Sequence, residues 1–158
     1  MLDNLKERIG SVVDNDAFTE LYEELRHLES SKLFEAVWSL AISEPIINTP
    51  PIASYLLVKL DLPTDRKCED MLGDMRDRRW DPSNRIIPFY LVTKFGKQQV
   101  TDSVERMVNE QADETDRKRI EGVGYWVKQS AESLIEPLHY FEWQEAIERE
   151  NHSRPIDS

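Results

Sequence analysis

The chain is poor in cysteine and glycine and has no long apolar run. Cys68 is alone, so an internal disulfide is excluded and a reducing compartment is the natural setting. Five glycines are few for a protein built on tight β-turns. No apolar stretch approaches the ~18 residues of a membrane span. The N-terminus, Met1-Leu2-Asp3-Asn4-Leu5-Lys6-Glu7-Arg8, is amphipathic and charged and lacks the apolar core of a signal peptide. Basic charge is also in deficit: 20 Lys and Arg face 31 Asp and Glu, for a net charge of −11. Nucleic-acid backbones are met by basic footprints, so they are disfavoured as the main partner. The expectation is a soluble, cytoplasmic protein that binds neither nucleic acid nor membrane.

Chemistry-bearing patterns are equally sparse. There is no Gly-x-x-x-x-Gly-Lys and no Gly-x-Gly-x-x-Gly, hence no local phosphate cradle. Three histidines leave little for acid–base work, though carboxylates can serve. Cys68 sits in a charged stretch with no neighbouring His, as a packed or idle thiol would.

What is present is helical periodicity. A hydrophobic fraction of 39%, a charged fraction of 32% and a full set of aromatics suit amphipathic helices with solvated outer faces. Leu2, Leu5, Ile9, Val12 and Val13 recur at three- and four-residue steps. Asp14-Asn15-Asp16 breaks that stripe and can cap a second helix carrying Phe18, Leu21, Tyr22, Leu25 and Leu28. Ser30-Ser31 caps a third, with Leu33, Phe34, Val37, Leu40 and Ala41 inward, closed by Pro45. Thr49-Pro50-Pro51 is a helix start, a hydroxyl cap followed by proline where a missing N–H is harmless. The helix it opens, to about Leu60, is apolar on almost every side and so buried on two faces.

Pro63-Thr64-Asp65 then starts a partner helix with Met71, Leu72 and Met75, ending near Trp80. Asp81-Pro82-Ser83-Asn84 marks another turn and cap. The following helix tolerates Pro88 only in its first turn or as a kink, and Gly96 can close it in the left-handed conformation. Val100, Val104, Met107 and Val108 line its partner. Asp113 or Asp116 opens a further helix through Ile120, Val123, Trp126 and Val127, in which Gly122 and Gly124 allow close packing. A last helix from Ser133 or Pro137 carries Leu138, Phe141 and Ile147. No Val/Ile/Thr-rich alternating stretch is bounded by hairpin signals, so no sheet is expected. The reading is all-α: about nine helices paired by short turns as antiparallel hairpins, in one domain over residues 1–150 with a tail over 151–158.

A longer echo overlies these helices. Tyr55 opens Tyr-Leu-Leu-Val-Lys-Leu, Tyr90 opens Tyr-Leu-Val-Thr-Lys-Phe and Tyr125 opens Tyr-Trp-Val-Lys. The tyrosines lie 35 positions apart, as do the cap residues Thr49 and Asn84. Self-similarity at such a period marks stacked repeats. The region from about residue 49 to 141 resembles a short HEAT-like α-solenoid. That resemblance implies successive hairpins with the three tyrosines in equivalent places, and an extended partner-binding surface.

Two sets of residues compete as sites. Glu24-x-x-His27 and Glu136-x-x-His139 repeat the Glu-x-x-His step of di-iron carboxylate bundles, which places carboxylate and imidazole on one helical face. His27, however, points away from the Leu21–Leu25–Leu28 stripe, and Pro137 interrupts the second step. A metal-binding helical protein or di-metal enzyme is therefore the alternative reading, and neither a metal nor a cofactor is expected.

Charge carries the leading one. Residues 1–45 and 97–158 are each net −6, while residues 46–96 are net +1. Within that middle, Arg76, Arg78, Arg79, Trp80 and Arg85 cluster at a helix end. Arg and Trp are the residue types that dominate interface energy, although arginines there also offset the helix dipole. The expected function is non-catalytic protein–protein interaction by a small acidic helical-repeat scaffold. An inhibitor or immunity protein facing a basic partner is its sharper form, since acidic charge steers such association.

Overall fold

The computed structural model describes residues 4–43 and 49–129. The described chain is all-α, with eight helices: α1 (Leu5–Gly10), α2 (Asn15–Leu25), α3 (Ser30–Ala41), α4 (Thr49–Leu60), α5 (Cys68–Asp77), α6 (Ile86–Phe95), α7 (Lys97–Glu110) and α8 (Glu114–Gln129). No helix among the described residues is long and apolar enough to cross a membrane. The helix expected from Ser133 or Pro137, the step Glu136-x-x-His139 and the tail over 151–158 lie outside the described residues.

Local chemistry sets most boundaries. The Asp14 carboxylate accepts from the Ala17 N–H at 2.8 Å and caps α2. The Asp113 carboxylate accepts from the Asp116 N–H at 2.9 Å before α8. Asn84 accepts from the Ile86 N–H at 3.2 Å and donates to the Ser54 hydroxyl at 2.9 Å. It thus starts α6 and ties it to α4. Pro88 is the third residue of α6, in the first turn where it breaks no helical hydrogen bond.

Gly96 ends α6 and immediately precedes α7, with φ 84° and ψ 150°. This lies beyond the expected left-handed helical well, in a region open essentially to glycine alone. It lets two helices meet without a loop.

One start differs from expectation. Pro63-Thr64-Asp65 does not open α5, which begins at Cys68. The Thr64 hydroxyl instead accepts from the Arg66 N–H at 3.1 Å, a local turn that competes with helix. Asp61, at φ 46°, turns the chain out of α4. The non-helical stretch carries α5 away from α4 to pack on α7 and α8, so the expected hairpin of α4 with α5 is not a close pair. Among sequential helices, α3 with α4 and α7 with α8 pack most closely.

The core sits around α4 and α6, the two helices with apolar residues on all sides. α4 packs on α1, α2, α3 and α6; α6 packs on α4, α7 and α8. Leu56, Leu57 and Leu91 are buried as expected, while Val92 is half-buried. Aromatic rings link the layers: Phe18 tilts on Tyr55 (5.3 Å) and Trp38 on Tyr90 (6.5 Å). The Trp38 Nε1 donates to Asp74 at 3.1 Å, and Asp74 pairs with Arg66 at 2.5 Å. α3, α5 and the segment before α5 are thereby tied through one polar chain.

Two of the three tyrosines spaced 35 residues apart share an environment. Tyr55 and Tyr90 are buried in α4 and α6, and each carries a lysine four residues on, Lys59 or Lys94, over its ring. Tyr125 is 57% exposed on α8. There Trp126, not the tyrosine, turns toward the core, so the third place is not equivalent.

Candidate partner-binding surfaces

The Arg/Trp segment begins where α5 stops. The Trp80 N–H reaches back to the Met75 carbonyl at 2.9 Å, with Arg79 at φ 56°. This is a Schellman-type close, a role that usually falls to glycine. It swings the Trp80 ring inward. Trp80 is 1% exposed, and its ring lies against Gly122 of α8, where a Cβ would meet it at 3.8 Å and would meet Pro82 at 3.5 Å. These are ordinary contact distances, so Gly122 borders the docked ring without being required by it.

The rest of the segment follows the same course. The Trp126 Nε1 donates to the Pro82 carbonyl at 2.7 Å, and the Arg85 guanidinium stacks 5.4 Å from the Trp126 ring. Arg76 pairs with Asp77 at 2.8 Å and donates to Gln111 at 3.2 Å. The Asp77 hydrogen bond holds the Arg76 guanidinium above its ordinary pKa. Arg78 donates to the Ser39 hydroxyl at 2.8 Å. The segment is thus a seam joining α5 and α6 to α3, the α7–α8 turn and α8. A contact built on an exposed Trp80 is not available. Arg78 and Arg79 are the exposed members.

The signal for this inward turn was the Trp80-Asp81-Pro82 run read together with Gly122 and Trp126. No spacing rule connects residues so far apart in the chain.

Among the described residues, the Glu24-x-x-His27 step gathers no further ligand group. Arg8 of α1 pairs with Glu24, and His27 is exposed past the end of the helix. Among the described residues, no three His, Cys, Asp or Glu side chains are grouped to hold a metal ion. Cys68 is buried, and burial pushes its thiol above the ordinary pKa despite a hydrogen bond with Ser103 that acts the other way. A thiol so placed is a weak nucleophile.

The acidic end is more open. α2 buries Phe18, Leu21 and Leu25, which directs Asp16, Glu20 and Glu23 outward at helical spacing. Glu23 pairs with Arg26 at 3.1 Å; Asp16 and Glu20 have no basic partner among the described residues. Asp16 and Glu20, at i and i+4, repel mildly, while Asp16 in the first turn also meets the positive end of the helix dipole. Exposed Glu7, Asp14, Glu29 and Glu35 extend the acidic character over α1 to α3.

The far end is balanced by contrast, since residues 97–129 hold seven acidic and six basic groups. The acidic excess of the C-terminal third therefore belongs to residues 130–158, with seven acidic and two basic. No family model, no curated protein sequence and no solved structure matches this chain.

Proposed function

We propose that this protein is a non-catalytic protein-binding module whose acidic α1–α3 face engages a basic partner. The observation that carries the reading is the outward stripe of Asp16, Glu20 and Glu23 on a helix whose other face is locked into the core. Carboxylates held on a rigid element, with Asp16 and Glu20 lacking a basic partner among the described residues, present a fixed negative field. Such a field speeds encounter with a cationic surface and disfavours anionic ones. An inhibitor of a basic nuclease or toxin, in the manner of an immunity protein, is the sharper form of the same reading. The lone buried Cys68 suits work in a reducing compartment such as the cytoplasm.

The test is affinity capture from the native host with the parent chain and with a triple charge reversal, Asp16→Lys, Glu20→Lys and Glu23→Lys. A basic protein retained by the parent and lost with the variant, while the variant still melts cooperatively and no earlier than the parent, supports the reading. A partner retained equally by both, or one that is itself acidic, overturns it.

A further inference from the structure

The outer side of the α7–α8 pair holds a groove of about 500 Å³. Its α8 wall is Glu121, Gly124, Tyr125 and Lys128, one helical face; Val104 and Val108 of α7 form much of the opposite wall. No other described helix lines this groove. The face holds both a hollow and a projection. At Gly124 the wall is bare, and a Cβ there would stand 3.2 Å from Val104 Cγ1, so the two helices approach closely. Beside it Tyr125 is 57% exposed, the one exposed aromatic ring among the described residues.

The charges of this face are arranged about the same point. Glu121 lies three residues before Gly124, and Lys128 lies three residues after Tyr125. Both are exposed, and neither has an ion-pair partner among the described residues. A two-fold axis crossing α8 between Gly124 and Tyr125 sets a second copy of the helix antiparallel to the first. It brings each Tyr125 over Gly124 of the other copy and each Glu121 beside Lys128 of the other copy. A two-fold contact needs this self-complementarity, in which residue i meets j and j meets i. The net charge of −11 opposes association of two copies. Residues 97–129, however, hold seven acidic and six basic groups, so a contact through α7 and α8 adds little to that repulsion.

We propose that the α8 face centred on Gly124 and Tyr125 is a contact between two copies of this chain, with α8 antiparallel to its counterpart. Tyr125 is the anchor, a residue type enriched where interface energy concentrates. The two Glu121–Lys128 pairs fix direction and register. No α2 residue lines the groove, so the proposal is independent of the basic partner proposed for α1–α3.

The experiment is sedimentation equilibrium of the full chain at about 0.15 M salt. Over about a hundredfold range of concentration it should show exchange between monomer and dimer. Glu121→Lys alone sets like charges together at both pairs and should raise the dissociation constant about tenfold, although it lowers the net negative charge. Lys128→Glu alone should weaken the dimer similarly. Glu121→Lys combined with Lys128→Glu restores both pairs at the parent's net charge and should recover the parent's constant. The two single variants, mixed, should form a mixed dimer in preference to either self-dimer. Tyr125→Ala should weaken association about tenfold or more by removing the anchor. A chain that stays monomeric throughout the range would overturn the proposal. So would dimers that Glu121→Lys leaves unchanged or strengthens, or a double exchange that fails to restore them.

Discussion

Tyr90 shows how a single buried group sets behaviour that composition does not reveal. Its hydroxyl has no hydrogen-bond partner among the described residues, and burial, aided by the negative charge of Asp61, raises its pKa well above the ordinary value. The neutral phenol is the folded form. Its contribution to stability is therefore complete below the unfolded pKa of about 10 and is lost as pH rises toward the folded value. Tyr90→Phe should be close to neutral at pH 7, since no hydrogen bond is removed. It should also lose less stability than the parent between about pH 9 and 11, as followed by urea denaturation across that range. A variant that loses stability in parallel with the parent would place the phenol in contact with water.

Arg79 offers a second test at this scale. A non-glycine residue at φ 56° costs about 1 kcal/mol, so Arg79→Gly should stabilise by a comparable amount. Trp80→Ala should instead cost about 3–5 kcal/mol, because a fully buried ring leaves a cavity against Gly122. If the two changes prove equally mild in denaturant titrations, the inward turn of Trp80 is wrong.

At the scale of elements, the glycines separate into those that a helix merely tolerates and those that its geometry requires. Gly73 lies inside α5, where an added Cβ meets nothing closer than the Arg76 guanidinium at 3.8 Å. Gly73→Ala should therefore stabilise by about 0.5–1 kcal/mol through helix propensity. Gly96 also has open space, with nothing within 4 Å, but its φ of 84° is the obstacle. Gly96→Ala should destabilise by about 1–3 kcal/mol by straining the direct α6–α7 junction. Opposite signs in the same guanidinium titration are the expected result; two stabilising changes would mean that the junction relaxes.

These cases also mark what was legible in the sequence. Helix existence and inward faces were, because Phe18, Leu21 and Leu25, or Ile120, Val123 and Val127, follow the period of one helix. Caps such as Asp14 and Asn84 were, because their chemistry acts within three residues. The start of α5 was not, since Thr64 offered the backbone a turn in place of a helix. The fate of Trp80 was not, since it depends on Gly122, Pro82 and Trp126 meeting through tertiary packing. The outward stripe on α2 was present in the same periodicity that located its core face. It was overshadowed as a site by the local density of arginines near Trp80.

The whole molecule is an acidic body, and that has a consequence for its stability. A net charge of −11 on 158 residues implies self-repulsion in the compact state. The ion pairs do not remove it, because most join partly exposed groups, such as Lys118 with Glu114 or Lys32 with Glu29, and pairs of that kind contribute about 0–1 kcal/mol. Added salt screens both effects, but the repulsion is summed over many unpaired carboxylates while the attractions are few and weak. The Debye length falls from about 30 Å at 0.01 M to about 3 Å at 1 M, so the balance should move toward the folded state. The melting temperature of the parent chain should therefore rise when sodium chloride is increased across that range. The triple reversal Asp16→Lys, Glu20→Lys and Glu23→Lys replaces three negative charges by three positive ones. It should begin with a higher melting temperature at low salt and gain less from added salt. Differential scanning calorimetry of both proteins at matched salt decides the matter. A parent chain that melts earlier in high salt would show that its ion pairs outweigh the repulsion.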